Sequence, residues 1–539
     1  MALRRMRLSL LRRSQHFLFT SLRCQSSNTV EQYNAAAVRT PSLSLLSSIA
    51  DRFNLDLSKE ELITYQGFMK NILNSWTRLE EMSEPQLPVE YSRSPGYRPA
   101  PENNPFNAWY YKVDIAGAPT GRLHGKTLAI KDNVAVAGVP MMNGSRTLQY
   151  YTPEFDATVV TRILRAGGHV AGKSVCEDLC LSSSSFTSAT GPVQNPHDTT
   201  RSAGGSSSGS AALVAGNVVD MALGGDQGGS IRMPSALCGI VGLKPTHGLV
   251  PYTGIFSIEM TLDHVGPMAR TVADCAQLLE VIAGCDGLDP RQPTSYQVPS
   301  YASNLTSDLK GTRVGILKEG FGHPSSEADV DSLVMSAARM LEKAGASVEE
   351  ISIPMHLDGM AIFDVISTEG AHETMYKSYG FGVGWEGHYC TSMLESFARG
   401  MKESAAELSH SNKIFLITGE AMKIMYHGRF YAKAQNIARN LRKAYDTALD
   451  TYDVLVMPTV PKKAPILPDK NCSIEEYLTA NFEMIPNTAQ FDVSGHPALT
   501  INAGFSEGLP VGMMIVGKRF DDQATLNVGF AFETLRDKA

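Results

Sequence analysis

The chain has 539 residues, of which 43% are hydrophobic and 19% charged, as in an ordinary soluble globular protein. Its formal net charge of −7 gives no reason to expect nucleic acid as a partner, and its thirteen histidines form no H-E-x-x-H motif that would suggest a metal site. Eight cysteines, none in a C-x-x-C spacing, are interpreted as reduced thiols that mostly pack.

The first thirty residues differ in composition from the rest of the chain. They contain several serines, no acidic residue, and six arginines: Arg4, Arg5, Arg7, Arg12, Arg13 and Arg23. This composition is typical of a mitochondrial transit peptide, and a disordered tail is the alternative. The arginines also interrupt the apolar run, which makes it a poor secretory signal and no membrane span. We therefore expect residues 1–30 to direct the protein to mitochondria; without that signal it would be cytoplasmic.

Residues 40–84 are predicted to form a small helical extension. Ser58 and Glu61 have the spacing of a capping box, which satisfies free N–H groups at the start of a helix. Apolar residues then recur every three or four positions and form one stripe: Leu62, Tyr65, Phe68, Met69, Ile72, Trp76 and Leu79. This stripe must pack against another surface. Six prolines within residues 85–105 predict an extended linker.

Short apolar runs alternate with helical patterns through residues 106–539. Strands are predicted at residues 127–130, 170–171, 313–317, 454–457, 499–502 and 513–516. Helices are predicted at residues 157–166 and 329–344, in a long region that ends near residue 449, and from residue 524. This alternation predicts an α/β fold with a large sheet covered by helices on both faces.

Two serines within residues 201–250 each follow a glycine pair, in the sequences Gly204-Gly205-Ser206 and Gly228-Gly229-Ser230. Glycine permits positive φ and lets a ligand approach the backbone N–H groups closely. A serine surrounded by free N–H donors is the minimum equipment for acyl transfer. A flexible Gly/Ser linker is the alternative, but the apolar residues 211–215 that follow do not suit a linker.

The run of residues 201–250 resembles the amidase signature family, hydrolases of carboxamides that use a Ser-Ser-Lys triad. Residues 128–133 (Leu-Ala-Ile-Lys-Asp-Asn), 239–246 (Gly-Ile-Val-Gly-Leu-Lys-Pro-Thr) and 494–500 (Ser-Gly-His-Pro-Ala-Leu-Thr) are also similar to that family. The resemblance implies that residues 106–539 form a catalytic domain. It also implies the family's α/β fold, a large mixed β-sheet covered by helices on both faces.

The resemblance further implies roles for individual residues. Ser230 would be the nucleophile, and Ser206, held on a cis peptide bond in the family, would pass its proton to Lys131. Lys131 must be neutral to act as the base, and burial in an apolar strand favours the neutral form because it removes water from the ammonium ion. The oxyanion would be bound by backbone N–H groups of the turn that contains Gln227, Gly228 and Gly229. No metal or organic cofactor is needed.

The sequence departs from the commonest family pattern at Ser208, where glycine is usual, and at Gln227, where threonine is usual. The Gln227 variant resembles broad-specificity amidases associated with nitrile degradation, which convert aliphatic and aromatic primary amides to carboxylic acid and ammonia. In relatives with an N-terminal helical extension the extension contributes to a dimer. We therefore expect a small-molecule amide substrate and a homodimer, with acyl-group specificity set mainly by residues 351–452.

Two other functions within or near this family remain as alternatives. The first is the catalytic subunit of a glutamyl-tRNA(Gln) amidotransferase, which would use glutamine as its ammonia donor and would require partner subunits. The second is a non-catalytic relative kept for binding, which the presence of all three triad residues disfavours.

Three other local patterns have competing interpretations. Residues 167–174 (Gly-Gly-His-Val-Ala-Gly-Lys-Ser) match a P-loop, but a helix is predicted before them and a strand inside them, the reverse of what a P-loop requires. Ser207 lies at the centre of a G-x-S-x-G sequence, which would need a downstream histidine such as His247, His264 or His496. Lys131, taken by itself, would form an ion pair with Asp132.

Overall fold

A computed structural model of the protein describes residues 38–538. The predicted transit peptide, residues 1–30, lies outside the described residues. The chain divides into two compact units, with the boundary between Gln86 and Leu87, inside the predicted proline-rich linker. No helix in the described part of the chain is long and apolar enough to cross a membrane.

The small unit contains two described helices, α1 (Leu43–Phe53) and α2 (Lys59–Glu80). The predicted capping box is present at the start of α2: the Glu61 N–H donates to Ser58 Oγ at 3.2 Å, and the Ser58 N–H donates to Glu61 Oε2 at 2.8 Å. Leu62 is the buried member of the predicted apolar stripe. Four other side chains of the stripe are 54–69% exposed: Phe68, Ile72, Trp76 and Leu79.

The described strands and helices of the large unit follow one another in a mixed order along the chain. The strands are β1 (Trp109–Ala116), β2 (Thr127–Lys131), β3 (His169–Ser174), β4 (Gln194–Asn195), β5 (Asp198–Ser202), β6 (Met221–Asp226), β7 (Val241–Lys244), β8 (His264–Ala269), β9 (Arg313–Leu317), β10 (Ser347–Ile351), β11 (Val454–Pro458), β12 (Ala498–Ser506) and β13 (Leu509–Gly517). The helices are α3 (Thr158–Arg165), α4 (Ser208–Ala215), α5 (Arg232–Cys238), α6 (Val272–Ile282), α7 (Ala328–Met340), α8 (Gly359–Ala371), α9 (Thr391–Ser404), α10 (His410–Tyr426), α11 (Arg429–Leu449), α12 (Ile474–Phe482), α13 (Ala489–Ser494) and α14 (Asp522–Arg536).

Eleven of these strands form one mixed sheet in the order β1-β3-β2-β6-β8-β7-β12-β13-β11-β9-β10. Strand β2 is parallel to both of its neighbours, β3 and β6, and β9 is parallel to β10 and β11. The remaining pairs are antiparallel. The predicted α/β fold with a large mixed sheet is therefore confirmed.

Both faces of this sheet are covered, because alternate residues of a strand enter different apolar cores. In β11, Val454 and Val456 belong to a core shared with α6 and α14, whereas Leu455 and Met457 belong to one shared with α8 and α11. A strand buried on both faces reads as a continuous apolar run, which is why β11 could be predicted from the sequence.

The structure departs from the predicted elements at six strands and in one long region. Six strands are absent from the sequence prediction: β1, β4, β5, β7, β8 and β10. The predicted long helical region contains β10 followed by four separate α-helices. Strand β10 lies at the edge of the sheet and has the sequence Ser-Val-Glu-Glu-Ile, in which polar residues weaken the strand pattern.

The rejection of the P-loop interpretation is confirmed. Helix α3 precedes residues 167–174, and β3 lies inside them, so no helix N-terminus follows the glycines. Lys173 of this sequence is completely buried, with its Nζ 3.1 Å from Asp132 Oδ1. A lysine in that environment serves the interior of the fold and is not available to a phosphate.

Candidate active site

Lys131 is the last residue of β2, a strand that lies between β3 and β6 inside the sheet. Its side chain is fully buried. Lys131 Nζ lies 2.9 Å from Ser206 Oγ and donates to the carbonyl oxygen of Gly225 at 3.0 Å. The structure therefore brings together the predicted base and the predicted bridging serine. Asp132, the alternative partner of Lys131, is paired with Lys173 instead.

Ser206 lies in the loop that leads into α4, and its peptide bond with Gly205 is cis. A Cβ atom at position 205 would lie 1.8 Å from the carbonyl oxygen of Ser184. Because that neighbour is backbone, it cannot move aside at low cost, and glycine is required here. The loop thereby holds the hydroxyl of Ser206, which is completely buried, against Lys131.

Ser230 lies in the turn that joins β6 to α5, and its side chain is almost completely buried. The backbone N–H of Ser207 donates to the carbonyl oxygen of Ser230 at 3.2 Å, which links this turn to the loop that carries Ser206. The predicted nucleophile therefore lies next to the loop of the predicted bridging serine, and among the described residues its hydroxyl makes no hydrogen bond to Ser206 or Lys131.

The turn before Ser230 presents free backbone donors. Among the described residues, the N–H groups of Gln227, Gly228 and Ser230 have no protein hydrogen-bond acceptor, whereas the N–H of Gly229 donates to Asp226 Oδ1 at 2.6 Å. Gln227 Nε2 donates to the hydroxyl of Tyr252 at 2.8 Å. Of the residues predicted to bind an oxyanion, Gln227 and Gly228 have available N–H groups, and Ser230 supplies a third.

A buried ionic network fixes this turn. Both oxygens of Asp226 accept hydrogen bonds from Arg232, and Arg232 also pairs with Asp492 at 2.6 Å and donates to the carbonyl oxygen of Thr488 at 2.8 Å. Burial alone would raise the pKa of Asp226, but the charge and hydrogen bonds of Arg232 outweigh it and lower this pKa below its ordinary value. Asp226 therefore stays ionised and can hold the N–H groups of Gly229 and Ile231.

The sequence motifs predict no role for this network. Asp226 and Arg232 flank the serine motif in sequence, so their positions four residues before and two residues after Ser230 were a usable signal. Thr488 and Asp492 lie more than 250 residues further along the chain, in a segment without a recognisable motif. Thr488 also fixes the turn directly, because its hydroxyl donates to the carbonyl oxygen of Gly228 at 2.6 Å.

The G-x-S-x-G alternative does not agree with the contacts of Ser207. Its hydroxyl donates to the carbonyl oxygen of Gly225 at 3.1 Å and accepts from the N–H of the same residue at 3.2 Å. The three candidate histidines have hydrogen-bond partners elsewhere: Met260 for His247, Leu262 for His264 and Asp446 for His496. Ser207 is therefore a structural residue of the loop.

Comparisons with known proteins agree with this geometry. The family model described as Amidase matches residues 101–526. The chain is 45% identical over 500 residues to an enantioselective amidase of Rhodococcus rhodochrous, covering 92% of this chain and 96% of that protein. It is 37% identical over 436 residues to a glutamyl-tRNA(Gln) amidotransferase subunit of Methanosarcina barkeri, covering 79% and 87%. The crystal structure of the corresponding Thermotoga maritima subunit matches with a TM-score of 0.65 and 31% identity, covering 78% of this chain and 85% of that chain.

Proposed function

The chain belongs to the amidase signature family and is a hydrolase of amide C–N bonds, and from this premise we propose that it converts small primary carboxamides to carboxylic acids and ammonia. The observation that carries the proposal is the buried Lys131–Ser206 contact of 2.9 Å beside a turn with free N–H donors. These are a proton acceptor and an oxyanion site, the two things that a serine needs to attack an amide.

In the proposed mechanism, Ser230 Oγ attacks the carbonyl carbon of the amide. Its proton passes to Ser206, whose own hydroxyl proton passes to the neutral amine of Lys131. The negative oxygen of the tetrahedral intermediate is bound by the N–H groups of Gln227, Gly228 and Ser230, and each such donor is worth about 3 kcal/mol to the transition state. Collapse of the intermediate breaks the C–N bond, and the proton returns through Ser206 to the leaving ammonia.

Water completes the cycle by attack on the acyl-enzyme. Its proton follows the same route to Lys131. The ester bond to Ser230 then breaks to release the carboxylic acid, and the proton returns from Lys131 through Ser206 to Ser230 Oγ. No step in this sequence requires a redox change. The residues that move protons are buried, which keeps the relay away from bulk water.

One observation supports an amide as the substrate, and one comparison favours an amidase over an amidotransferase. Gln227 Oε1 is buried and, among the described residues, has no hydrogen-bond partner, so it can accept an N–H of the substrate's amide. The similarity to the Rhodococcus amidase extends over more of the chain, at higher identity, than the similarity to the Methanosarcina amidotransferase.

Phe363 of α8 lies against the turn that precedes Ser230, because a Cβ at Gly228 would lie 2.7 Å from the Phe363 ring. This contact supports the role of residues 351–452 in acyl specificity.

The experiment that tests the function measures ammonia release by the purified chain from benzamide, propionamide, a longer aliphatic amide and glutamine. We expect turnover of the simple amides and loss of that turnover in Ser230→Ala. Activity on glutamine alone, or only after partner subunits are added, would establish the amidotransferase instead. Full activity of Ser230→Ala would show that another residue is the nucleophile.

Mitochondrial targeting and a homodimer are parts of the same proposal. Residues 1–30 have the composition of a transit peptide, and their targeting is tested by fusing them to a fluorescent protein and imaging its location. A diffuse cytoplasmic signal would reject it. The homodimer is supported by the exposed apolar side chains of α2 and is tested by the oligomeric state of point variants, argued below.

A further inference from the structure

Gln227 has a side-chain amide beside the oxyanion turn, and the proposed mechanism uses only its backbone N–H. The residue is 6% exposed, and its Nε2 donates to the hydroxyl of Tyr252 at 2.8 Å. Among the described residues, Oε1 of the same amide is buried and has no hydrogen-bond partner. A buried acceptor without a partner is unfavourable, so this oxygen is available to a ligand that carries an N–H group.

The hydroxyl of Tyr252 determines which end of this amide points away from it. A tyrosine hydroxyl has one proton, and Tyr252 donates it to the carbonyl oxygen of Phe256 at 3.3 Å. Towards Gln227 the hydroxyl can therefore only accept, and an amide offers its NH₂ end to an acceptor. If the Gln227 amide were rotated by half a turn, two acceptors would face each other. The contact with Tyr252 thus leaves Oε1 as the free end of the amide.

Tyr252 itself is held by charged neighbours. Its backbone N–H donates to Asp289 Oδ2 at 2.9 Å, and the guanidinium carbon of Arg291 lies 5.1 Å from the centre of its ring. Asp289 and Arg291 form an ion pair of 2.6 Å with each other. Burial raises the pKa of Tyr252 well above its ordinary value, so its hydroxyl keeps the proton that it donates to Phe256.

The loop that contains Tyr252 lies beside the base of the reaction. The N–H of Phe256 donates to the carbonyl oxygen of Asn133 at 2.9 Å, and Asn133 follows Lys131 by two positions. The side chain of Gln227 therefore extends from the oxyanion turn towards the segment that follows Lys131. In the proposed mechanism the leaving nitrogen receives its proton from Lys131 through Ser206, so it must lie on this same side of the substrate.

We propose that Gln227 Oε1 accepts an N–H of the substrate's leaving nitrogen, and that Tyr252 is the positioning residue that holds this oxygen towards it. The pair would make the enzyme select carboxamides over the esters of the same acids. The inference rests on the amidase function proposed above. An ester presents an oxygen lone pair where an amide presents an N–H, so Oε1 would face another acceptor and would remain without a hydrogen bond.

The test compares kcat/KM for benzamide and methyl benzoate, which have the same acyl group. Gln227→Met removes the acceptor at similar side-chain length, and we expect the amide-to-ester ratio to fall roughly 3- to 10-fold, the effect of losing one hydrogen bond. Tyr252→Phe lets the amide of Gln227 rotate and should lower the ratio by at least about 3-fold. A purely structural defect would reduce both rates and leave their ratio unchanged.

Tyr301→Phe is the matched control for Tyr252→Phe. It also removes the hydroxyl of a completely buried tyrosine, one whose partner is the hydroxyl of Tyr296 at 3.1 Å. The amide-to-ester ratio of this variant should stay within about 2-fold of wild type, because surface or core changes away from the site do not affect one substrate alone. Thermal melts show whether the two phenylalanine variants lose similar stability.

Binding separates this inference from the proposed function, because it requires no turnover. Benzamide and methyl benzoate are titrated into Ser230→Ala and into the same chain with Gln227→Met, and binding is followed by NMR. The second change should weaken benzamide roughly 3- to 10-fold and leave methyl benzoate within about 2-fold. Selective weakening supports the inference even if the wild-type chain hydrolyses no amide, a result that would reject the function alone. Equal weakening of both ligands, or no binding of benzamide to Ser230→Ala, would overturn the inference.

Discussion

Glu177 shows how a carboxyl group outside the triad affects the candidate site. Its N–H donates to the carbonyl oxygen of Ser206 at 3.2 Å, so it lies against the loop that carries the bridging serine. Its Oε2 accepts from Ser182 Oγ at 3.0 Å and from the N–H and hydroxyl of Thr187 at 2.9 and 2.8 Å, whereas Oε1 is buried without a partner among the described residues. Burial raises the pKa of Glu177 to about 7.

This pKa predicts that the stability of the protein depends on pH. The folded pKa exceeds the ordinary value of 4.5, so the stability that the neutral acid contributes is complete below about pH 4.5 and is lost as pH rises through about 7. Glu177→Gln keeps the shape without ever acquiring the charge. We expect it to be more stable than wild type by on the order of 3 kcal/mol at pH 8 and by only about 1 kcal/mol at pH 5. Urea unfolding at the two pH values measures the difference.

The exposed carboxyl of Glu403 provides the control for this prediction. Glu403→Gln should change stability by less than about 0.5 kcal/mol at either pH, because surface substitutions rarely do more. The quantity to compare is the difference in unfolding free energy between Glu177→Gln and wild type. If this difference were the same at pH 5 and at pH 8, Glu177 would not be a neutral buried acid.

The limits of sequence reasoning at this scale follow from the distances along the chain. Lys131, Ser206 and Ser230 were predicted because each lies in a local motif, and the structure brings Lys131 and Ser206 into contact. The contact of Thr488 with Gly228 crosses 260 positions and is made by a common residue type without a distinctive neighbourhood. Such a contact is created by tertiary packing, and a single sequence contains no signal for it.

In the loop before α4, a steric contact of Gly205 with the backbone of Ser184 leaves no room for a side chain. Because a Cβ at Gly205 would lie 1.8 Å from the carbonyl oxygen of Ser184, Gly205→Ala must displace one of two backbone segments, and Ser206 would move with the loop. We expect kcat to fall at least 100-fold, since a displacement of about 1 Å at a reacting group has that effect. The melting temperature should also fall, and both are measured on the purified variant.

Ser208→Gly is the matched control for Gly205→Ala. Ser208 lies three positions further along the chain and is the first residue of α4. The substitution installs the residue that is usual in the family, and the hydroxyl that it removes makes one long contact of 3.5 Å with the carbonyl oxygen of Val175. Its activity should remain within about 3-fold of wild type. If Gly205→Ala behaved in the same way, the loop would be more adaptable than its contacts indicate.

Among the strands, those buried on both faces could be predicted from the sequence and those at the edges or with turn residues could not. Strands β2, β9 and β11 are short apolar runs, and the structure places all three inside the sheet. Strand β8 has the sequence His-Val-Gly-Pro-Met-Ala, in which glycine and proline normally indicate a turn. Its central position depends on pairing with β6 and β7, which are distant in sequence or weakly patterned.

At the scale of the whole molecule, helix α2 carries an exposed apolar face. With about 100° per residue, Phe68, Ile72, Trp76 and Leu79 project from one side of the helix, and all four are more than half exposed in a single chain. Large aromatic and aliphatic side chains are the residues that contribute most to protein interfaces. A continuous face of this kind is rare on monomers and supports the homodimer proposed above.

The dimer proposal predicts how single substitutions change the mass in solution. Analytical ultracentrifugation of the wild-type chain should give twice the monomer mass of 58.4 kDa. Trp76→Glu places a charge in the middle of the apolar face and should give the monomer at micromolar concentration, because burial of an unpaired carboxylate opposes association. Asn74→Glu places the same charge on the opposite side of the helix and should leave the dimer intact. A monomeric wild-type chain, or equal dissociation by both substitutions, would show that this face does not hold two copies together.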